Sequence, residues 1–535
     1  MCDKKPFDEF KISYTNIQKI ESILLRQNIK NKVQYKVWEN DYRKVYNSNE
    51  LNLHLYILHS VLYFLAQLFL SRYVLEDRPV PSCKNTSLQF FRKIQIEIKT
   101  QFPNKEIFDF DYFSPYFELH AEDQKYFVRL VGKLASSFFN LPIKNEYKFD
   151  YLIQSILSSS MRHKSGEFYT PPFLVQKMVK FGYKFGEKTI DPCCGTGNFL
   201  ITIFKKILRS KNTMSEKINA LNNIYGCDIN QLSIFLTKIN LLYLITSHIT
   251  PSKFKLNIFN IDSLFFAEND GIAKEYLTAH SNQFDLVIGN PPWYTYRDLE
   301  LLNAQKNVKK LAKKFKIKPS SKNILNIEIS SLFFYAAREY FLQKEGKIFF
   351  VITKGVITGS HASRFRNFRG FKNIKIWMFD QKINNIFNID FICLFAQKSN
   401  NLAYKSNLEI PVFLYTTNAK LNNIYLDNKI TLILQKKEIF IPYSVIQKGD
   451  KVFTKKLIPK LESSKLLADG ESYYKKCFHK GADLNPRSLI FVIKEILTDK
   501  LIKINPDDRV FKRAKKPWDK KFYKNNTVEG QYIFK

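Results

Sequence analysis

The segment Asp191-Pro-Cys-Cys-Gly-Thr-Gly-Asn-Phe-Leu200 constrains the fold more than any other, because it joins a β-type run, Lys188 to Asp191, directly to a helical one, Phe199 to Leu208. Glycines at 195 and 197 let the backbone turn tightly and approach a ligand, and the start of the helix offers free N–H groups. The alternation continues downstream. Ile224 to Asp228 precedes the helical run Leu232 to Leu244, and Leu256 to Asn260, Phe284 to Gly289 and Gly346 to Ile352 read as further strands. Strands alternating with helices predict an α/β fold with a mainly parallel sheet.

Three strand ends in this series carry polar chemistry. Asp228, in Gly226-Cys-Asp-Ile-Asn230, stands where a carboxylate can accept both hydroxyls of a ribose, although a helix N-cap would look the same. Asp262 follows the third strand and could meet an adenine amino group. The fourth strand delivers Asn290-Pro-Pro-Trp293 to the carboxyl edge of the sheet, where doubly wound folds place their sites. The Asn290 oxygen and the Pro291 carbonyl could accept both hydrogens of a planar amine, Pro292 stiffens the turn, and Trp293 offers a stacking face.

In this order the motifs resemble the γ-class amino-methyltransferases of DNA, which make N6-methyladenine, over roughly residues 150 to 400. The resemblance implies a Rossmann-like domain dependent on S-adenosylmethionine. Ser165-Gly-Glu-Phe-Tyr-Thr-Pro171 is similar to the family's N-terminal cofactor segment, so Phe168, Tyr169, Thr170 and Pro171 are expected at the cofactor. Asp191, Gly195 and Gly197 match its methionine-binding loop, Asp228 its ribose ligand, Asp262 its adenine contact, and Asn290, Pro291, Pro292 and Trp293 its catalytic tetrapeptide. Phe387, in Asn384-Asn-Ile-Phe-Asn-Ile-Asp390, matches the second base-stacking aromatic beside Trp293; the alternative is a core phenylalanine. Tyr or Phe is commoner in the family where this chain has Trp293, and Pro is frequent where it has Thr353-Lys354. No metal is expected, because the methyl sulfonium is already activated and the amine proton can leave to solvent.

Composition locates the substrate. The chain has 535 residues, enough for two to four domains, and its 45% hydrophobic and 25% charged content is that of a globular protein. Its net charge of +35 is distributed as +8 over residues 1–300, +14 over 301–400 and +13 over 401–535. Residues 165–300 carry only +2, so the excess begins after the Asn-Pro-Pro-Trp motif. A uniform codon bias towards lysine does not produce that asymmetry; a polyanion such as DNA, bound by the later part of the chain, accounts for it. Eight lysines and no acid lie between Lys306 and Lys322, and Lys309, Lys310, Lys313 and Lys314 are the expected DNA contacts, a solvated loop being the plainer alternative.

Three regions are expected: a helical N-terminal region over 1–160, a catalytic domain over 161–400, and a β-rich target-recognition domain over 401–535. The last contains Lys480 to Leu489, similar to a segment of the family's recognition part, and a basic run from Phe511 to Trp518. It stops in an ordered-looking pattern where the family usually continues, as a fragment or half of a split system would. Double-stranded DNA is the expected partner, together with a cognate restriction endonuclease or specificity subunit. The seven cysteines form no Cys-x-x-Cys pair, which fits a reducing cytoplasm. Leu53 to Leu70 is long enough to span a bilayer, but His54, His59 and Gln67 interrupt it, so a buried core helix is expected and no membrane. Three other readings remain open at this stage: an added nuclease, suggested loosely by Asp77 with Glu97-Ile-Lys99; methylation of RNA or of a protein glutamine; and a DNA- or partner-binding protein with an idle pocket.

Overall fold

The computed structural model describes residues 14–46, 50–75, 87–103, 105–156, 167–246, 248–249, 254–266, 271–387, 389–403, 407–419, 430–448 and 451–466, with short strands at 492–496, 501–506 and 527–529. Met1–Ser463 and Ser464–Lys535 form two compact units.

In the first unit, runs of β-branched and aromatic residues ended by Asp, Asn or Gly give β1 (Thr189–Asp191), β2 (Ile224–Asp228), β3 (Asn257–Asn260) and β4 (Phe284–Gly289), followed by the longer β5 (Leu342–Thr353). All five run parallel, with β1 between β2 and β4. The chain therefore builds outward from β1 first to β3, then crosses back to β4 and β5. The crevice at the carboxyl ends of β1 and β4 is the topological switch point, where open α/β sheets bind ligands.

Both faces of the sheet are covered, as a parallel sheet requires. Leu286 and Ile288 of β4 and Phe349 and Val351 of β5 face one core, while Val287, Ile348, Phe350 and Ile352 face the other. The sheet continues through β7 (Phe391–Lys398), antiparallel to β5, then β6 (Phe371–Phe379), β8 (Ile410–Thr416), β9 (Ile433–Lys448) and β10 (Lys451–Pro459). The division expected at residue 400 thus falls inside one ten-stranded sheet, because β8 pairs in parallel with β6. Short strands with polar breaks are legible in sequence; their pairing partners are not. In the second unit, Val492–Ile496, Leu501–Pro506 and Thr527–Glu529 form an antiparallel sheet of three strands. The segments Lys480 to Leu489 and Phe511 to Trp518 lie outside the described residues, as does Asp77.

The N-terminal region is helical as expected, with α1 (Tyr14–Arg26), α2 (Val33–Tyr42), α3 (Leu53–Tyr73), α4 (Leu88–Gln101), α5 (Ala121–Asn140) and α6 (Lys148–Ile156). Among the described residues α3 alone is long and apolar enough to cross a membrane, but nearly all of its apolar stretch is buried in the protein. Two of its polar interruptions find a partner: neutral His59, held by burial at about 3, accepts from Trp38 Nε1 at 3.1 Å, and Gln67 Oε1 accepts from Gln95 at 3.2 Å, while Gln67 Nε2 is buried without one. Glu97 and Lys99 sit two residues apart on α4, a spacing that turns them to different sides of a helix.

Candidate functional site

A cavity enclosing about 1030 Å³, including its open mouth, lies at the carboxyl ends of β1, β2 and β4. It gathers half of the residues singled out above: Phe168, Tyr169, Thr170, Asp191, Gly195, Asp228, Asp262, Asn290 and Pro292 all line it. Their convergence from segments more than a hundred residues apart follows from the strand order for the motifs at 191–195, 228, 262 and 290–292, each of which ends or follows a strand, while Phe168 to Thr170 come from the irregular segment ahead of the first strand.

Backbone N–H groups and buried acids shape the floor. The chain leaves β1 at Asp191, whose Oδ1 accepts from Cys193 N at 3.0 Å while its buried Oδ2 has no partner. Burial pushes this carboxyl well above the usual carboxylate range, the backbone bond opposes the shift, and nearby Asp228 adds to it. Gly289 makes room for it: a Cβ at 289 would overlap Asp191 Oδ1. The turn then passes Gly195 (φ 53°) to Gly197 (φ 93°), which caps α8 (Asn198–Leu208). A side chain at 197 would be strained by that φ and would crowd Thr237 at 3.0 Å. Asp228 braces the turn, accepting from Gly195 N and Asn230 N at 2.8 Å each. Its carboxyl is also raised by burial, with those backbone bonds acting in the opposite sense. Asp262 Oδ1 accepts from Leu264 N at 3.0 Å and Phe265 N at 3.2 Å.

Two supports have no motif in sequence. Fully buried Asp150, from α6, accepts from Thr196 Oγ1 at 2.9 Å and Asn198 Nδ2 at 3.0 Å, so the helical region anchors the glycine turn. From α9 (Gln231–Thr246), Thr237 Oγ1 donates to Gly195 O at 2.6 Å and Asn240 Nδ2 to Thr196 O at 3.1 Å. Lys44, Val45, Glu167, Tyr294 and Phe333 also line the cavity; Glu167, inside the Ser165 to Pro171 segment, and Tyr294, next to the tetrapeptide, had a signal that could have found them, and the other three had none. Cys193 and Cys194 border the cavity too, and burial raises both thiols.

At the tetrapeptide, Asn290 Nδ2 donates to the Phe168 carbonyl, and Oδ1 is buried without a partner. A carbonyl can only accept, so this bond fixes the amide with its oxygen free to accept in turn. Trp293 and Phe387, by contrast, do not line the cavity. Trp293 stacks on Phe168 at 4.7 Å and 25°, meets Phe387 edge-on at 5.0 Å, and donates through Nε1 to Val351 O at 3.3 Å. Both rings are 7% exposed, and Phe168 covers a face of Trp293 that the motif reading assigned to a base. Pro171, Gly197 and Pro291 likewise shape the surrounding turns without lining the cavity.

The lysine run folds in its first part as a helix, α10 (Leu302–Lys314). Val308, Leu311 and Ala312 are buried, while Lys306, Lys310, Lys313 and Lys314 are exposed. Lys309 lies over the Tyr296 ring at 4.9 Å, and Lys314 over Tyr340 at 4.7 Å.

Residues 148–366 match the family described as N-6 DNA Methylase. The chain is 29% identical over 167 residues to the type I restriction enzyme EcoEI methylase subunit of Escherichia coli, covering 31% of each chain. It is 29% identical over 147 residues to the type II methyltransferase M.VspI of Vibrio sp., covering 26% of this chain and 29% of that one. The match therefore spans less than a third of either relative. A solved modification subunit of a putative type I restriction enzyme from Vibrio vulnificus YJ016 aligns over 86% of this chain and all of its own, at 17% identity and a TM-score of 0.45. Residues 148–366, which match the N-6 DNA methylase family, hold the motifs gathered at the switch point of the doubly wound sheet.

Proposed function

We propose that the protein transfers a methyl group from S-adenosylmethionine to the N6 amino group of an adenine flipped out of double-stranded DNA, within a restriction-modification system. The observation that carries this reading is the Asn290 amide, turned by the Phe168 carbonyl so that a buried, unpartnered oxygen remains at the cavity. A buried acceptor without a donor is costly, and an amino group is the donor that the tetrapeptide suits.

The cavity fits the cofactor on chemical grounds. Glu167, Asp191, Asp228 and Asp262 set four carboxyl groups in its lining, and Asp191 Oδ2 is a second buried oxygen without a partner. That suits a ligand with a positive charge, an ammonium and two ribose hydroxyls. When bound, the cofactor supplies an activated methyl group. Asn290 Oδ1 would accept from the amine, drawing the nitrogen lone pair out of ring conjugation and towards the methyl donor. The proton then leaves to solvent. Because Phe168 lies against Trp293, a base stacking on Trp293 takes the place of the Phe168 ring.

Extruding a nucleotide costs a few kcal/mol, offset by phosphate contacts. The exposed lysines of α10 would supply them. Reversing Lys309, Lys310, Lys313 and Lys314 to Glu is expected to weaken DNA binding at least about tenfold at low salt and to flatten the plot of log K against log salt. Fluorescence anisotropy with a labelled duplex measures both; unchanged affinity and slope would remove α10 from the interface. The chemistry is tested with cofactor labelled in its methyl group and DNA free of adenine methylation. Label recovered as N6-methyldeoxyadenosine supports the proposal, and label found in RNA or protein instead overturns it.

A further inference from the structure

Resting on this reading of the cofactor cavity, we propose that Lys44, from the N-terminal helical region, binds the carboxylate of the cofactor's methionine end. Lys44 is the one basic residue among the described residues lining the cavity, which also holds Glu167, Asp191, Asp228 and Asp262. Those acids suit the ammonium and the sulfonium. They repel a carboxylate, which a nearby cation would favour in such a lining.

The turn that carries Lys44 is held at the cavity. Tyr42 Oη accepts from Leu232 N at 3.1 Å, at the start of α9, and Tyr46 Oη donates to Glu167 Oε2 at 3.4 Å. Between these two anchors Lys44 is exposed and forms no ion pair among the described residues. An exposed lysine of the cavity lining with no ion pair among the described residues is available to a ligand. The helical region, read from sequence only as a packing element, then supplies part of the cofactor site.

Truncating the ligand separates this role from a structural one. Isothermal titration of the full chain with S-adenosylmethionine, S-adenosylhomocysteine and 5′-methylthioadenosine, which lacks the amino-acid end, gives three affinities per variant. Lys44→Ala is expected to weaken the first two about tenfold and Lys44→Glu further, Lys44→Arg to retain most of the affinity, and all three to leave 5′-methylthioadenosine within about twofold. Unchanged binding of the first two in Lys44→Ala, or an equal loss for all three ligands, overturns the assignment. A wild-type protein that binds none of the three overturns the cofactor reading itself.

Discussion

Asn290→Ala is expected to lower the rate of methyl transfer by about a thousandfold while leaving cofactor affinity within about threefold of the wild type. The asymmetry follows from where the amide sits. Its oxygen is buried and unpartnered, its nitrogen is committed to the Phe168 carbonyl, and neither braces the glycine turn. Loss is therefore confined to a contact made with the reacting amine. Single-turnover rates at saturating cofactor and DNA, with cofactor affinity from titration, measure the two quantities separately. An Asn290→Ala protein that still methylates, or one that loses cofactor binding in proportion, would move the catalytic role elsewhere.

Asp191→Asn should have opposite effects on binding and on stability. Cofactor affinity is expected to fall about a hundredfold, because a neutral amide replaces the carboxylate facing a cationic ligand. Stability is expected to rise. Burial lifts the Asp191 carboxyl in the folded protein above its unfolded value, so the folded state pays a penalty for ionisation that is complete above the raised value and absent below the unfolded one. The variant should melt at a higher temperature than wild type at pH 8, and the difference should vanish as the pH falls towards the ordinary carboxylate range. The same shift makes wild-type cofactor binding weaken on acidification, since protonated Asp191 and Asp228 no longer attract a cation. Melting curves and titrations between pH 5 and 8 give both signs; a variant less stable than wild type at pH 8 would show that Asp191 is a structural ion.

The parallel half of the sheet was legible in sequence because its signals are local. The runs Ile224 to Asp228 and Phe284 to Gly289 coincide with β2 and β4, each an apolar stretch cut off by a residue that ends a strand. β9, Ile433–Lys448, is hard to read as one strand because its lysines and glutamate break the apolar pattern. Partnership across the fold was not legible at all. Asp150 meets Thr196 and Asn198 across more than forty residues, and Lys44 reaches the cavity only because Tyr42 and Tyr46 hold its turn there. Side-chain direction was the other gap. The motif supplies an aromatic at 293, but packing against Phe168 and Phe391 decides that its ring faces the core.

The most direct test is to express the chain in a host lacking adenine methylation and map modified bases across the genome by single-molecule sequencing, with Asn290→Ala expressed in parallel. N6-methyladenine at one recurring sequence with the wild type, and none with the variant, is the expected result. A genome without modified adenine, from cells whose purified protein binds S-adenosylmethionine, or modification that persists with Asn290→Ala, would contradict it.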